Sequence, residues 1–398
     1  MSQPGTHAPL WQAPAASDPK DRILTIDILR GIALFGVLMV NLLTEFRASI
    51  FQQFVPSAAS GASGEPLLAS FVSYALDMKA FSLFSLLFGI GLAIQFDRFS
   101  DRGEPLYWLR RRLLVLLGFG LCHLILIWNG DILTEYALAG LLVLRALRRH
   151  EDALAFAALL AFGFYLVMPI WYASLYWPRS SAFELDVLAA DRIYPNGNFL
   201  QILRFSIHEL RLMIPLHVAI FPRTIALMLA GAWVWRSDLL RHLRAHRSSL
   251  LVFGLLAVAT GVAVTAVESR NLFAAYRQFA DVLARLGPPI QALGYAALIA
   301  VAVDHPHPGQ FMRVFAPLGR MAFTNYIIQS LIFSWIFFGY GWGQFGRMSM
   351  SSAFLLGGAV YVGQIIASML WLRWFRFGPL EWLWRSLTYG QRQMMWNR

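Results

Sequence analysis

Residues 26–43, Ile-Asp-Ile-Leu-Arg-Gly-Ile-Ala-Leu-Phe-Gly-Val-Leu-Met-Val-Asn-Leu-Leu, decide the fold class. A bilayer core takes about 20 mostly apolar helical residues, and this run of 18 is close to that length. It is not alone. Comparable runs follow at Leu68–Phe96, Leu113–Trp128, Ile132–Leu147, Ala153–Trp177, Pro215–Trp235, Leu250–Val267, Pro289–Val303, Leu318–Phe338 and Ala353–Trp374. The second is long enough to begin as an interfacial segment, and the eighth is the weakest. Over 398 residues the chain is 58% hydrophobic and only 14% charged. Soluble domains carry about 25% charged residues, so neither a set of soluble domains nor one anchored soluble domain fits. The reading is an all-α polytopic membrane protein of ten transmembrane helices. The 15% aromatic content excludes disorder.

The net charge of +11 is a topology signal rather than a nucleic-acid footprint. With the N-terminus inside and the spans alternating, 22 of the 33 Lys and Arg residues fall on the cytosolic side and nine outside, with Lys79 and Arg223 left within spans. That bias assigns N-in and C-in, and the inner surface suits anionic membrane lipids. Residues 1–21 read as a mobile cytosolic tail, 22–378 as the helical bundle and 379–398 as a cytosolic amphipathic segment. The connection 178–214, with the turn cluster Pro195-Asn196-Gly197-Asn198, reads as a short outer cap. The single Cys122 lies in an apolar run and reads as a small buried hydrophobe. No metal spacing occurs, and no metal is expected.

Charged groups within spans are costly and ask for a reason. Asp27, Arg30 and Asn41 share one helix face, Arg30 about 60° and Asn41 about 40° from Asp27. Asp27 and Arg30 read either as an i,i+3 pair with Arg30 snorkelling or as the charged mouth of a polar track. Gly31 permits a close neighbour. His123 lies about 12 Å from Asp131 along an ideal helix. Asp131 sits where an N-cap belongs, and Glu135 adds a further carboxylate. Together they read as packing groups or as a titratable set near the outer leaflet, with a neutral His as base. Lys79 is deep if its helix starts near Leu68, and snorkels outward if it starts at Lys79. Arg223, after Pro222, is read as pairing with a buried carboxylate (Asp131 or Glu135) or binding an anionic group. Asn325 and Gln329, four residues apart, suit interhelical hydrogen bonds. Glu381 and Arg385 suit an i,i+4 pair on a helix lying at the inner leaflet.

Three stretches carry a resemblance: Asp27-x-x-Arg30-Gly31 continuing to Asn41; Lys79 followed by Leu83-Phe-Ser-Leu-Leu-Phe-Gly-Ile-Gly91; and His123 followed by Trp128-Asn-Gly-Asp-Ile-Leu133. With Gly319-Arg-Met-Ala-Phe-Thr-Asn-Tyr326 and Gly378-Pro-Leu-Glu-Trp382, they resemble the YeiB family of bacterial inner-membrane proteins. The last two look like its C-terminal domain of unknown function 418. The resemblance covers residues 22–390 and implies a distant relation to transmembrane acyltransferases. In them an acyl donor enters from the cytosol and the acceptor lies beyond. Asn41 matches an active-site Asn of heparan-α-glucosaminide N-acetyltransferase. That enzyme's catalytic His follows its first helix, whereas this chain has no His in 42–121. Either His123 takes the base role or the chemistry has been lost.

Three functions therefore compete. In an acyltransferase, Arg30 and Arg110–Arg112 would hold the phosphates of an acyl-CoA, Asn41 would stabilise the oxyanion, and His123 with Asp131 or Glu135 would activate a lipid or glycan acceptor. Lys79, Glu135, Arg223, Asn325 and Gln329, with Asp27 and Arg30, would line the substrate path. In a transporter or lipid-handling protein the same groups would carry an anion or proton. In a structural or partner-binding protein they would serve packing alone, with the Gly357–Gly363 face supporting a homodimer.

Overall fold

A computed structural model describes residues 24–55, 65–100, 103–240, 242–270, 272 and 276–396. The tail, with Lys20 and Arg22, lies outside the described residues. Fifteen α-helices follow one another: α1 Leu24–Asn41, α2 Pro66–Phe71, α3 Lys79–Ser100, α4 Pro105–Leu126, α5 Leu133–Val143, α6 Glu151–Tyr176, α7 Ser180–Ile193, α8 Phe199–Arg236, α9 Arg247–Ser269, α10 Arg277–Asp304, α11 Pro306–Met312, α12 Ala316–Arg320, α13 Ala322–Phe337, α14 Met350–Trp374 and α15 Pro379–Tyr389. Wide-pitch turns extend α1 through Phe46 and α2 through Leu76. Among the described residues there is no β-sheet.

Seven of these segments are long and apolar enough to cross a membrane. The other three expected runs are also helical, but differ from a simple span. The helix α4 starts on Pro105 and carries Arg110–Arg112, α5 has only 11 residues, and the run from Leu318 is broken at Met321 into α12 and α13. The chain is thus an all-α, multi-pass membrane protein.

Apart from Asp27, Arg30 and Asn41, the helix α1 is apolar around its circumference, which marks a central helix. Most of its residues are buried against α3, α12, α13 and α14. Gly31 meets the expectation of a close neighbour, since the Phe315 carbonyl oxygen lies where its Cβ would be. α3 packs along α8, α6 covers the other side of α8, and α9 and α10 form a hairpin beside them. α3 and α8 cross backbone to backbone at Gly89 and Gly231: a Cβ on Gly89 would overlap Met228, and one on Gly231 would overlap the Leu86 carbonyl.

The helix α8 corrects the expected outer loop. It begins at Phe199 rather than Pro215 and runs 38 residues, with Pro215 and Pro222 inside it. At about 1.5 Å per residue it outreaches a bilayer core of about 30 Å. Its start is fixed by a capping box: Asn198 Oδ1 accepts from Gln201 N, and Gln201 Oε1 from Asn198 N. Ahead of it, α7 occupies part of the connection expected to form an outer cap.

Arg236, at the end of α8, meets Asp97 of α3 at 3.2 Å and the Leu147 carbonyl after α5. At the opposite end Arg347 donates to Asn196, and Gly346 N to the Arg47 carbonyl. Residues assigned to one side meet residues assigned to the same side.

Three surface expectations change. Cys122 is exposed on the flank of α4, not buried. Glu381 turns inward from α15 to cap α13, accepting from Phe323 N, Thr324 N and the Thr324 hydroxyl. Gly357 packs on Leu38, Met39 and Leu42 of the first span, whereas Gly358 and Gly363 face open space.

Candidate functional site

The 12 Å expected between His123 and Asp131 does not hold, because α4 stops just after His123. Ile127 N and Trp128 N both close onto the His123 carbonyl, and the chain turns through Trp128-Asn129-Gly130. Asp131 comes back to place Oδ1 2.9 Å from His123 Nδ1, with both side chains at most 1% exposed. Its Oδ2 accepts from Thr134 N at 2.7 Å. Asp131 is therefore both the cap of α5 and the partner of His123. An ionised carboxylate only accepts, which places a proton on Nδ1 and a lone pair on Nε2. Nε2 is buried and has no hydrogen-bond partner among the described residues. The ring is held between Tyr326 and Trp128, centroids 5.2 Å and 6.2 Å away.

One turn further along α5, Glu135 is buried. Its Oε2 lies 3.1 Å from His217 Nδ1, and its Oε1 accepts from the Thr224 hydroxyl. Both partners come from α8. The next residue, Tyr136, donates to the Phe81 carbonyl and accepts from Ser85 on α3. The short α5 is thus held by polar bonds on two sides.

Lys79 follows neither expected course. The helical run breaks at Met78, whose φ of 57° separates the α2 segment from α3. The Lys79 side chain stays buried and folds back, Nζ donating to the Ser73 carbonyl at 2.5 Å. Arg223 is 2% exposed and does not pair with Asp131 or Glu135. Among the described residues no carboxylate reaches ion-pair distance of it. Its Nη1 meets Met78 Sδ at 3.8 Å, and its Nε has no partner.

Towards the outer side, Asn129 donates to Glu209 Oε2 at 2.7 Å, and the Tyr194 hydroxyl donates to the same oxygen. Glu209 is hydrogen-bonded in turn to Asp186 of α7. A small cavity runs beside these groups, lined by Glu45, Trp128, Asn129, Tyr194, Glu209 and Phe338. Burial pushes the Asp186 carboxyl up from its ordinary 3.8, against the field of Arg211 and His208. The docked cap then holds a proton that a released cap would lose. Its docking is full strength below the ordinary Asp range and weakens as pH rises through the raised value. Hydrogen exchange over 180–193, corrected for intrinsic rates, should accelerate as pH rises through that value. Asp186→Asn should remove the dependence. Protection that ignores pH in the wild type would contradict this account.

The remaining expected residues lie elsewhere. Asn41 is buried with its amide oxygen unpartnered; five residues on, Phe46 stacks on Trp128 at 4.5 Å. Asp27 and Arg30 form a 3.7 Å i,i+3 pair near the start of α1, far from the dyad along that helix. Asn325 donates to Ser368 and Gln329 to Gln364, while Gln364 donates back to the Asn325 carbonyl, so these amides bind α13 to α14. Arg112 stacks on Trp384 of α15 at 3.6 Å and Arg111 donates to the Leu387 carbonyl, so two of the four expected phosphate-binding arginines anchor α15.

Glu45, His217, Glu209 and Asp186 were not expected at the site. Glu45 follows Asn41 by four residues, a spacing that puts both on one helix side. Glu209 and His217 precede Arg223 by 14 and six residues, a signal visible only once the region is read as helix.

The fold and this buried titratable cluster define the class: a polytopic, all-α membrane protein with an ionisable core. The chain is 30% identical over 393 residues to "Uncharacterized protein YxaH" of Bacillus subtilis (strain 168), covering 93% of this chain and 94% of that one. It is 29% identical over 398 residues to "Uncharacterized protein YeiB" of Escherichia coli (strain K12), covering 92% and 96%. Residues 234–391 match the family described as "Protein of unknown function (DUF418)". The chain belongs to the YeiB family.

Proposed function

We propose that this protein is an acyltransferase of the bacterial inner membrane, passing an acyl group from a cytosolic thioester such as an acyl-CoA to an envelope lipid or glycan. The observation that carries this reading is the His123–Asp131 dyad: a buried imidazole oriented through Nδ1, with Nε2 left to react. His123 Nε2 takes the proton of the acceptor's hydroxyl or amine as its oxygen or nitrogen attacks the thioester carbonyl. Asp131 stabilises the imidazolium that forms. The carbon–sulfur bond then breaks, and the imidazolium returns its proton to the departing thiolate. Asn41, buried on α1, is assigned to donate from its Nδ2–H to the developing oxyanion.

The test is release of free thiol from acyl-CoA by the purified chain, with an envelope lipid extract as acceptor. Turnover is expected, and Asn41→Ala should lower it about 10²–10³-fold, as loss of one oxyanion donor does. No turnover with any acyl-CoA, and no binding of CoA, would sink the reading.

A further inference from the structure

Arg223 is a charge in search of a partner. It lies within α8, is 2% exposed, and among the described residues its one hydrogen bond runs from Nη1 to the weakly accepting sulfur of Met78. Met78 is the residue immediately ahead of α3, a helix of 22 residues; the Lys79 N–H is bonded to the Asp77 carbonyl and the Ser82 N–H to the Met78 carbonyl, which leaves the N–H groups of Ala80 and Phe81 in its first turn. Lys79, the first residue of α3, is also buried. Arg223 thus reaches the residue that precedes α3, and Lys79 follows it in the chain with its Nζ on the Ser73 carbonyl.

The neighbouring charges do not neutralise it. Lys79 lies in the fields of Asp77 and Glu268. Asp77 lies in the fields of both Lys79 and Arg223. Arg285, from α10, faces Tyr165 and Asp281 and adds a like charge towards Arg223. Tyr136 also lies in the field of Arg223. Two arginines approaching one another inside a membrane protein, one without a carboxylate at contact distance, are tolerable when an anion sits between them and water.

We propose that Arg223, Lys79 and the start of α3 form a binding site for a phosphate group. Arginine offers a planar fork of donors, lysine a point charge and the helix terminus free N–H groups, a set that fits a tetrahedral, multiply charged anion better than a single carboxylate. The site adjoins the dyad through bonded neighbours: Thr224, next to Arg223, bonds Glu135, which lies one turn from Asp131. Its assignment as the place that holds the acceptor rests on the acyltransferase reading, and makes the acceptor a phosphate-bearing molecule. The binding itself does not rest on it.

The full chain, purified in a neutral glycoside detergent, is titrated with dodecyl phosphate, inorganic phosphate and dodecanoate, with binding read by calorimetry and by the melting midpoint. Dodecyl phosphate is expected to bind saturably and raise the midpoint. Arg223→Gln should weaken it at least tenfold, and Arg223→Lys by less. Should R223Q fail to fold, Lys79→Gln carries the same expectation. Inorganic phosphate binding as tightly as dodecyl phosphate supports the site and assigns it a free anion. A gain from the alkyl chain supports it and assigns a headgroup. Dodecanoate matching dodecyl phosphate, or an unchanged affinity in folded R223Q, overturns the proposal. Arg223-dependent binding without thiol release from any acyl-CoA would keep this site and remove the acyltransferase. Thiol release with no phosphate binding would do the reverse.

Discussion

Asp131→Asn is expected to lower acyl transfer about 10⁴-fold while leaving the protein folded. The size follows from what the carboxylate does to the ring. With Asp131 in place, Nδ1 carries the proton and Nε2 the lone pair. An amide facing Nδ1 through its NH2 group reverses that tautomer and removes the charge that stabilises the imidazolium; the equivalent change in a serine protease has this effect. Asparagine caps helices about as well as aspartate, so the bond to Thr134 N survives and the fold should hold. Thiol release at saturating acyl-CoA measures the loss, and a melting curve checks the fold. His123→Ala should match or exceed it, and the double variant should be no worse than His123→Ala alone, because residues acting as a unit are not additive. An Asp131→Asn protein that melts normally and turns over within tenfold of wild type would remove His123 from the chemistry.

Gly231→Leu is expected to prevent assembly of the bundle. A Cβ at this position falls on the Leu86 carbonyl and close to Ile90 N, both backbone atoms of α3, and Gly89 makes the reciprocal contact with Met228. Side chains can rotate away from an intruder, but two helical backbones can only separate. Overpacking in a well-filled core costs about 1–3 kcal/mol, and here the clash begins at the first carbon, so Gly231→Ala should already cost about 3 kcal/mol. Separation of α3 from α8 would also part Ser85–Tyr136 and Arg223–Met78. Gly358→Leu is the control, since nothing lies within 4 Å of that position. The measurement is the unfolding midpoint in detergent with size-exclusion homogeneity. Gly231→Leu behaving like Gly358→Leu would show that α3 and α8 do not meet as described.

The apolar runs were legible because their length is set by the bilayer, an external ruler. What that ruler does not measure is where a helix turns. Lys79 was read as either deep or snorkelling because both options assume a continuous helix or a clean start; a left-handed residue at Met78 is neither. The length of α8 was hidden by Pro215 and by the charged residues Arg204, Glu209 and Arg211, which resemble a loop. Reading that stretch as loop also hid His217 and Glu209 as members of the cluster. The pairing of His123 with Asp131 was legible in kind, because both lie close in sequence near a tight turn. Its distance was not, because it depends on a helix ending at Leu126. For Asn325 and Gln329 the plainer of the two readings, interhelical bonding, agrees with the structure. Arg223 was correctly singled out as buried, while its lack of a contacting carboxylate is a three-dimensional fact that no spacing encodes.

Cys122 has an experimental consequence. The chain has a single cysteine, it is exposed, and it immediately precedes His123 on the last turns of α4. A thiol-reactive spin label or fluorophore would therefore attach at one known place without any substitution. It would sit on the outer flank of the helix whose inner flank carries the imidazole. Mobility or emission of that one probe, followed while donor and acceptor analogues are added, would record events at the dyad from the lipid side, in the unaltered protein.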